Sequence, residues 1–187
     1  MATEPRPGHV TPSRPLVIGV GNRDRGDDGV GPLVAQAFAE RWPERAEIHL
    51  AEGDLSDLLL RWRGDQDVVI IDAIVSGRPP GTISTMDGLH EGLSKNDRLV
   101  SSHGVGIVEV IALAKALDKR PAAITIVGVE AAQCEHFSGL SQPVAAALPA
   151  AVNEISDVLD DAVATIDAGE RTSSNGKAAD EAGPRNC

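Results

Sequence analysis

Four consecutive apolar residues, Val68-Val69-Ile70-Ile71, run straight into Asp72 and constrain the fold more than any other stretch of the chain. A strand with apolar side chains on both faces must be covered on both, as happens to a central parallel strand between helical layers. Further strands are predicted at Leu16–Val20, in the alternating segment Ala46-Glu47-Ile48-His49-Leu50, at Thr82–Thr85 and at Ala123–Val129. Helical spacing separates them. Val30, Leu33, Val34, Ala37 and Phe38 predict a helix from Gly29 or Val30 that stops near Trp42-Pro43, and Leu55, Leu58, Leu59 and Trp62 mark a short one. Ser101 or Ser102 can cap a helix with the stripe Ile107, Val110, Ile111, Ala114 and Leu117, which puts His103 in its first turn. The last and longest helix carries Val144, Leu148, Ala151, Val152, Ile155, Val158, Leu159, Val163 and Ile166 on one face, with Pro149 expected to kink or divide it. Strands alternating with helices in this order predict an α/β three-layer sandwich, a twisted, mainly parallel five-stranded sheet with helices on both faces.

The 187 residues suit one core, expected over 15–168, with a disordered lead at 1–14 and a disordered tail at 169–187. A formal net charge of -11 without any Lys/Arg run excludes nucleic acid and anionic membrane surfaces as natural partners. No stretch approaches the roughly 18 to 20 apolar residues of a membrane helix. Met1–Pro15 has no apolar core of the secretory type, and a cytoplasmic monomer is expected. The two cysteines, Cys134 and the terminal Cys187, support neither a disulfide framework nor a cysteine zinc site.

Chemistry concentrates in the loop Gly19-Val20-Gly21-Asn22-Arg23-Asp24-Arg25-Gly26-Asp27-Asp28-Gly29-Val30-Gly31, where a strand hands over to a helix. Such junctions normally attract anions, because the helix N-terminus offers unpaired N–H groups and a partial positive charge. Asp24 stands where a dinucleotide fingerprint needs its third glycine. Asp27 and Asp28 stand where a P-loop needs Lys and Ser/Thr. Charge reversal makes a phosphate ligand a poor fit and a cation, or a metal carried by a partner, the better one. One helix cap accounts for Asp27; a second adjacent carboxylate, Asp28, calls for another explanation.

Ligands of open α/β sheets bind beyond the carboxyl ends of the strands. Asp28 after the first strand, Asp72 ending the central one and His103 opening a helix on the same sheet are therefore expected to converge on one rim. Each also has a plain structural reading, as a loop-bonded aspartate or a hydrogen-bonded first-turn histidine. Gly53-Asp54 shares that rim, with a helix cap the simpler role for Asp54. His49 is expected to face solvent, and Glu130, Cys134 and His136 are placed in the loop after the last strand without a role.

The loop at 19–31, Asp72-Ala73 after an apolar strand, Ser102-His103-Gly104, and Val127-Gly128-Val129 followed by Gly139-Leu140-Ser141 together resemble the hydrogenase maturation endopeptidases over about residues 15–166. The resemblance implies a similar fold and a peptidase that removes a C-terminal extension from the nickel-iron hydrogenase large-subunit precursor after nickel insertion. Carried over by motif position, it implies that Asp28, Asp72 and His103 form both the catalytic and the metal-recognition site. It also implies that nickel arrives with the substrate, so no permanent cofactor is expected. Two carboxylates and an imidazole suit such a borderline first-row ion and leave coordination positions open. Water activation by Asp28 or Asp72 and Lewis-acid activation by the ion are both compatible with the residues. A non-enzymatic metal-sensing chaperone or binding module for the same precursor is the alternative.

Overall fold

A computed structural model describes residues 13–52, 55–90, 106–135 and 139–174, with side chains to residue 162 and at 164. Five strands, β1 (Leu16–Val20), β2 (Glu47–Ala51), β3 (Asp67–Ile74), β4 (Ile83–Asp87) and β5 (Ala123–Glu130), form one sheet in the order β2-β1-β3-β5-β4. All neighbouring pairs are parallel except β4 with β5. The expected three-layer architecture is what the chain adopts.

Side-chain alternation sorts the core into two layers. Val17, Val69, Ile71, Val127 and Val129 face α1 (Val30–Arg41) and α3 (Gln142–Ser174), whose Val34, Phe38, Ala151 and Ile155 complete that layer. Ile18, Val68, Ile70, Ile124 and Ile126 face α2 (Ile107–Ala116) and a 3₁₀ segment, η2 (Ser56–Leu60), on the other side. Trp62 fastens η2 by donating from Nε1 to the Lys119 carbonyl at 2.8 Å. Arg45 ties the end of α1 to α3 through the Ser156 hydroxyl and carbonyl, at 2.7 and 3.0 Å.

Chain direction places the functional rim. From β1 the chain crosses through α1 to β2 on one side, whereas the strand on the other side of β1 is β3, reached over the opposite face through η2. This is the point where an open sheet leaves a crevice beyond its strand ends. The first turn of α1 lies hard against it. A Cβ on Gly31 would stand 2.2 Å from the Val20 carbonyl oxygen and 2.5 Å from that of Ile71, so no larger residue fits between helix and strands.

Several expectations need adjustment. Asp72 does not end its strand: β3 continues to Ile74, so the carboxylate lies inside the ladder, paired in register with Gly128. Glu130 is the last residue of β5 and not a loop residue. Pro149 does not divide α3, which runs unbroken from Gln142. The α2 helix starts at Ile107 with Gly106 as N-cap, and Leu117 at its end is exposed. Ser101, Ser102, His103, Gly53, Asp54 and His136 lie outside the described residues, as do 1–12 of the expected lead and 175–187 of the expected tail. Among the described residues no helix is long and apolar enough to cross a membrane.

Gly31→Ala tests the seating of α1. Alanine favours a helix over glycine by about 1 kcal/mol, but overpacking against fixed backbone costs about 1–3 kcal/mol or more. Net destabilisation in thermal or urea melts is therefore expected, and a variant as stable as the parent would show that α1 is free to lift from the sheet.

Candidate active site

Asp27 and Asp28 fall in a single 3₁₀ turn, η1 (Gly26–Gly29), between β1 and α1. Successive residues of a 3₁₀ turn point about 120° apart, so the adjacent carboxylates diverge. Both are buried, and neither caps η1 or α1.

The Asp27 carboxylate turns toward the loop between β5 and α3. Its Oδ2 accepts the N–H groups of Ala132 and Gln133 at 2.8 and 3.0 Å and the Ser141 hydroxyl at 2.9 Å, and its Oδ1 accepts the Ser141 N–H at 2.6 Å. The Asp27 N–H donates back to the Gln133 carbonyl at 2.9 Å. The capping role expected of Asp27 is thus replaced by a cross-link between two rim loops 105 to 114 residues apart in sequence. Only distant backbone N–H groups and one serine reveal this, so no local pattern signals it.

Asp28 turns the other way, over the sheet. Its Oδ2 accepts the Asn22 N–H at 3.0 Å, closing the loop on itself. Gly21 makes that closure possible with φ +128°, and a Cβ there would come within 1.9 Å of the Asp28 carbonyl oxygen. Asn22 and Gly21 are positioning residues that the sequence reading passed over.

Asp72 meets Asp28 from β3. It is 1% exposed; its Oδ1 accepts the Ala73 N–H at 2.8 Å, and its Oδ2, also buried, has no hydrogen-bond partner among the described residues. Burial raises its pKa well above the ordinary carboxylate value, the nearby Asp28 carboxylate raises it further, and the Ala73 N–H only partly offsets them. A buried polar atom left without a partner is expensive and uncommon enough to need a reason. Beside a second carboxylate, that oxygen can hold a proton or, once the proton leaves, a cation.

The sheet thus brings Asp28 and Asp72 together, two of the three groups expected on this rim; His103 lies outside the described residues. Among the described residues no group of three or more potential metal ligands assembles. His49 is half-buried, 3.9 Å from Asp57 on η2, and belongs to the face of β2 away from α1. Cys134 lies beside η1, but partial burial and then the Asp28 and Asp27 carboxylates push its thiol up, so it is poorly suited to be a nucleophile. Glu130 shapes the loop after β3. Its Oε1 accepts the Ser76 and Gly77 N–H groups, each at 2.8 Å, and its Oε2 the Ser76 hydroxyl at 2.6 Å. Burial works against its ionisation, but these donors outweigh it and leave its pKa below the usual value.

The sign of the Asp72 effect can be measured. Its unfolded pKa is about 3.9 and its folded value lies well above that, so between the two the folded chain binds the extra proton. Stability is then lost as pH rises through this window, by at most about 1.4 kcal/mol per pH unit. Asp72→Asn keeps the oxygen that accepts from Ala73 and removes the buried charge. It is expected to melt above the parent at neutral pH, with the gap closing toward about pH 4. A variant less stable at every pH would show that the carboxylate is structural.

The sequence profile of the hydrogenase maturation proteases matches residues 43–158. The hydrogenase 2 maturation protease of Escherichia coli K12 is 31% identical over 147 residues, covering 76% of this chain and 88% of that protein. The hydrogenase expression/formation proteins HupD of Thiocapsa roseopersicina and Rhodobacter capsulatus are 29% and 30% identical over 68% and 72% of this chain. The aligned region spans only 59% and 65% of their own lengths. In structure, the hydrogenase maturating endopeptidase HybD from E. coli superimposes with a TM-score of 0.70 at 27% identity, over 80% of this chain and 93% of that one. The [NiFe] hydrogenase maturation protease HybD from Thermococcus kodakarensis gives 0.66 at 26% identity, over 78% and 99%.

Proposed function

Since this chain belongs to the hydrogenase maturation protease family, we propose that it is an endopeptidase that removes the C-terminal extension of a nickel-iron hydrogenase large-subunit precursor, recognising the nickel that the precursor carries. The observation that carries this reading is the buried Asp72 Oδ2, unpartnered among the described residues and next to Asp28. An acidic pair in a crevice at the sheet's switch point is matched to a cation, and an oxygen left open suits a ligand that arrives from outside.

Asp28 and Asp72 supply two oxygen donors, and His103 is assigned as the third protein group. This leaves positions for the precursor's own ligands, so the enzyme needs no permanent metal. Arrival of the cation displaces the proton that burial and Asp28 favour on Asp72. An unloaded precursor lacks that compensation and leaves two carboxylates repelling each other, so nickel acts as a checkpoint. With the precursor anchored, the scissile peptide lies against the same pair. Either carboxylate of the pair is suited to take a proton from attacking water and return it to the leaving amine.

Intact-mass analysis of a nickel-loaded precursor incubated with this protein, beside a nickel-free control, tests the proposal. Loss of a C-terminal peptide only with nickel is the expected result. An unchanged mass with a stable complex would leave a binding module in place of the enzyme. Asp28→Asn, Asp72→Asn and His103→Ala are each expected to slow processing by at least about a hundredfold, the usual contribution of a positioned acid or base. Full activity in any one of them removes that residue from the site.

A further inference from the structure

We propose that the free edge of β2 is the docking rail for the precursor, taking up an extended segment of its C-terminal region as an added sheet strand; this deepens the protease reading and rests on it. Among the described residues β2 ends the sheet, and its neighbour is β1. The Glu47 N–H donates to the Pro15 carbonyl at 2.8 Å and the Ala51 carbonyl accepts from Gly21 at 3.0 Å. In a parallel ladder with this register the odd residues 47, 49 and 51 bond to β1, so the N–H and C=O groups of Ile48 and Leu50 point outward. No donor or acceptor among the described residues pairs with them. Strand edges are usually blunted by Lys, Pro or a bulge. β2, Glu-Ile-His-Leu-Ala, contains neither residue and pairs one-to-one along its length. At the opposite edge, Thr85 of β4 donates to Glu154 of α3 at 2.6 Å.

Cavities flank this edge on both sides, as an added strand requires, since its side chains alternate between faces. On the η2 side a cavity of 450 Å³ is lined by Leu16, His49, Asp57, Leu60 and Arg61. Arg61 pairs with Asp57 there at 3.3 Å, while Leu60 is left 81% exposed. A side chain of the added strand can lie along Leu60. On the α1 side a cavity of 330 Å³ is lined by Asn22, Arg23, Pro32, Leu50 and Glu52. Asn22 is the residue whose N–H holds Asp28, so this cavity adjoins the loop that carries that carboxylate. A peptide lying on β2 is therefore led toward the acidic pair. Pairing with a second copy is disfavoured because each chain carries a net charge of -11.

Two measurements test the rail, using the full chain and a nickel-loaded large-subunit precursor. In residue-resolved amide exchange, Ile48 and Leu50 should exchange much faster than His49 and Ala51 in the free protein and become protected when the precursor binds. Leu50→Pro removes one outward donor and leaves the β1 bonds intact. It should raise KM for processing at least about fivefold, the equivalent of one net hydrogen bond, and by more than Leu50→Ala, which keeps the amide. Thermal melts establish that both variants are folded, and the exchange measurement stands without them. Processing of the precursor with Ile48 and Leu50 still exchanging freely would overturn the rail and leave the protease standing. Protection without any processing would support the rail and overturn the protease. Protection in the free protein that grows with its concentration would mean that a second copy occupies the edge, and would also overturn the proposal.

Discussion

The loop after β1 is pressed so closely onto the sheet that backbone meets backbone where side chains usually intervene. Gly31 lies against the Val20 carbonyl at the end of β1 and the Ile71 carbonyl within β3, and Gly21 leaves no room for a Cβ against Asp28. Any side chain at either position would push η1 away from the crevice. The acidic pair exists because this contact removes the distance across which Asp28 and Asp72 would otherwise be screened. The glycines therefore set the electrostatics of the site although they carry no charge themselves.

Two adjacent aspartates in this loop do opposite kinds of work. Asp27 accepts from four donors and locks the loop to the segment that leads into α3. Its burial is compensated in full, and the result is rigidity. Asp28 accepts from Asn22 and Asp72 from Ala73, with the Asp72 Oδ2 left without a partner among the described residues. The burial of Asp72 is compensated only in part, and the result is a site that gains from a ligand. The Glu130 clamp on Ser76 and Gly77 repeats the first arrangement after β3. The open pair is bordered on two sides by carboxylates already committed to holding backbone.

The layers of the core and the central place of β3 were legible because they rest on periodicity. Val68–Ile71 had to be covered on both faces, and the stripes of α1, α2 and α3 supplied the covers. Asp28 and Asp72 were legible as a pair through a topological rule, since both follow or lie near the carboxyl ends of strands that meet at the switch point. What escaped depends on hydrogen bonds between distant segments. Nothing near Asp27 distinguishes a helix cap from a cross-link to Ser141, because the choice lies in whether η1 winds as a 3₁₀ turn. The chain around Asp72 gives no sign that β3 runs two residues further, since Ala73 and Ile74 owe their strand geometry to pairing with Val129 and Glu130. Glu130 looked like a loop acid because its partners are backbone N–H groups after another strand.

Under the proposed function, selectivity for a loaded precursor would follow from the way the pair is left unfinished. A complete ligand set would hold an ion in the resting protein, and recognition would then not depend on what the substrate carries. A fully hydrogen-bonded Asp72 would have no reason to exchange its proton. With one oxygen buried and open, the energy released by the proposed binding at the crevice would depend on a positive charge arriving with the polypeptide. A rail along β2 would contribute affinity for any extended chain of suitable shape, because main-chain pairing reads little sequence. The two proposed devices are complementary: strand pairing would bring an extended segment to the crevice, and the carboxylate pair would discriminate between segments that come with a cation and those that do not. On this reading neither is sufficient alone, since the rail by itself would accept unloaded precursor and the pair by itself would have no means of orienting the peptide to be cut.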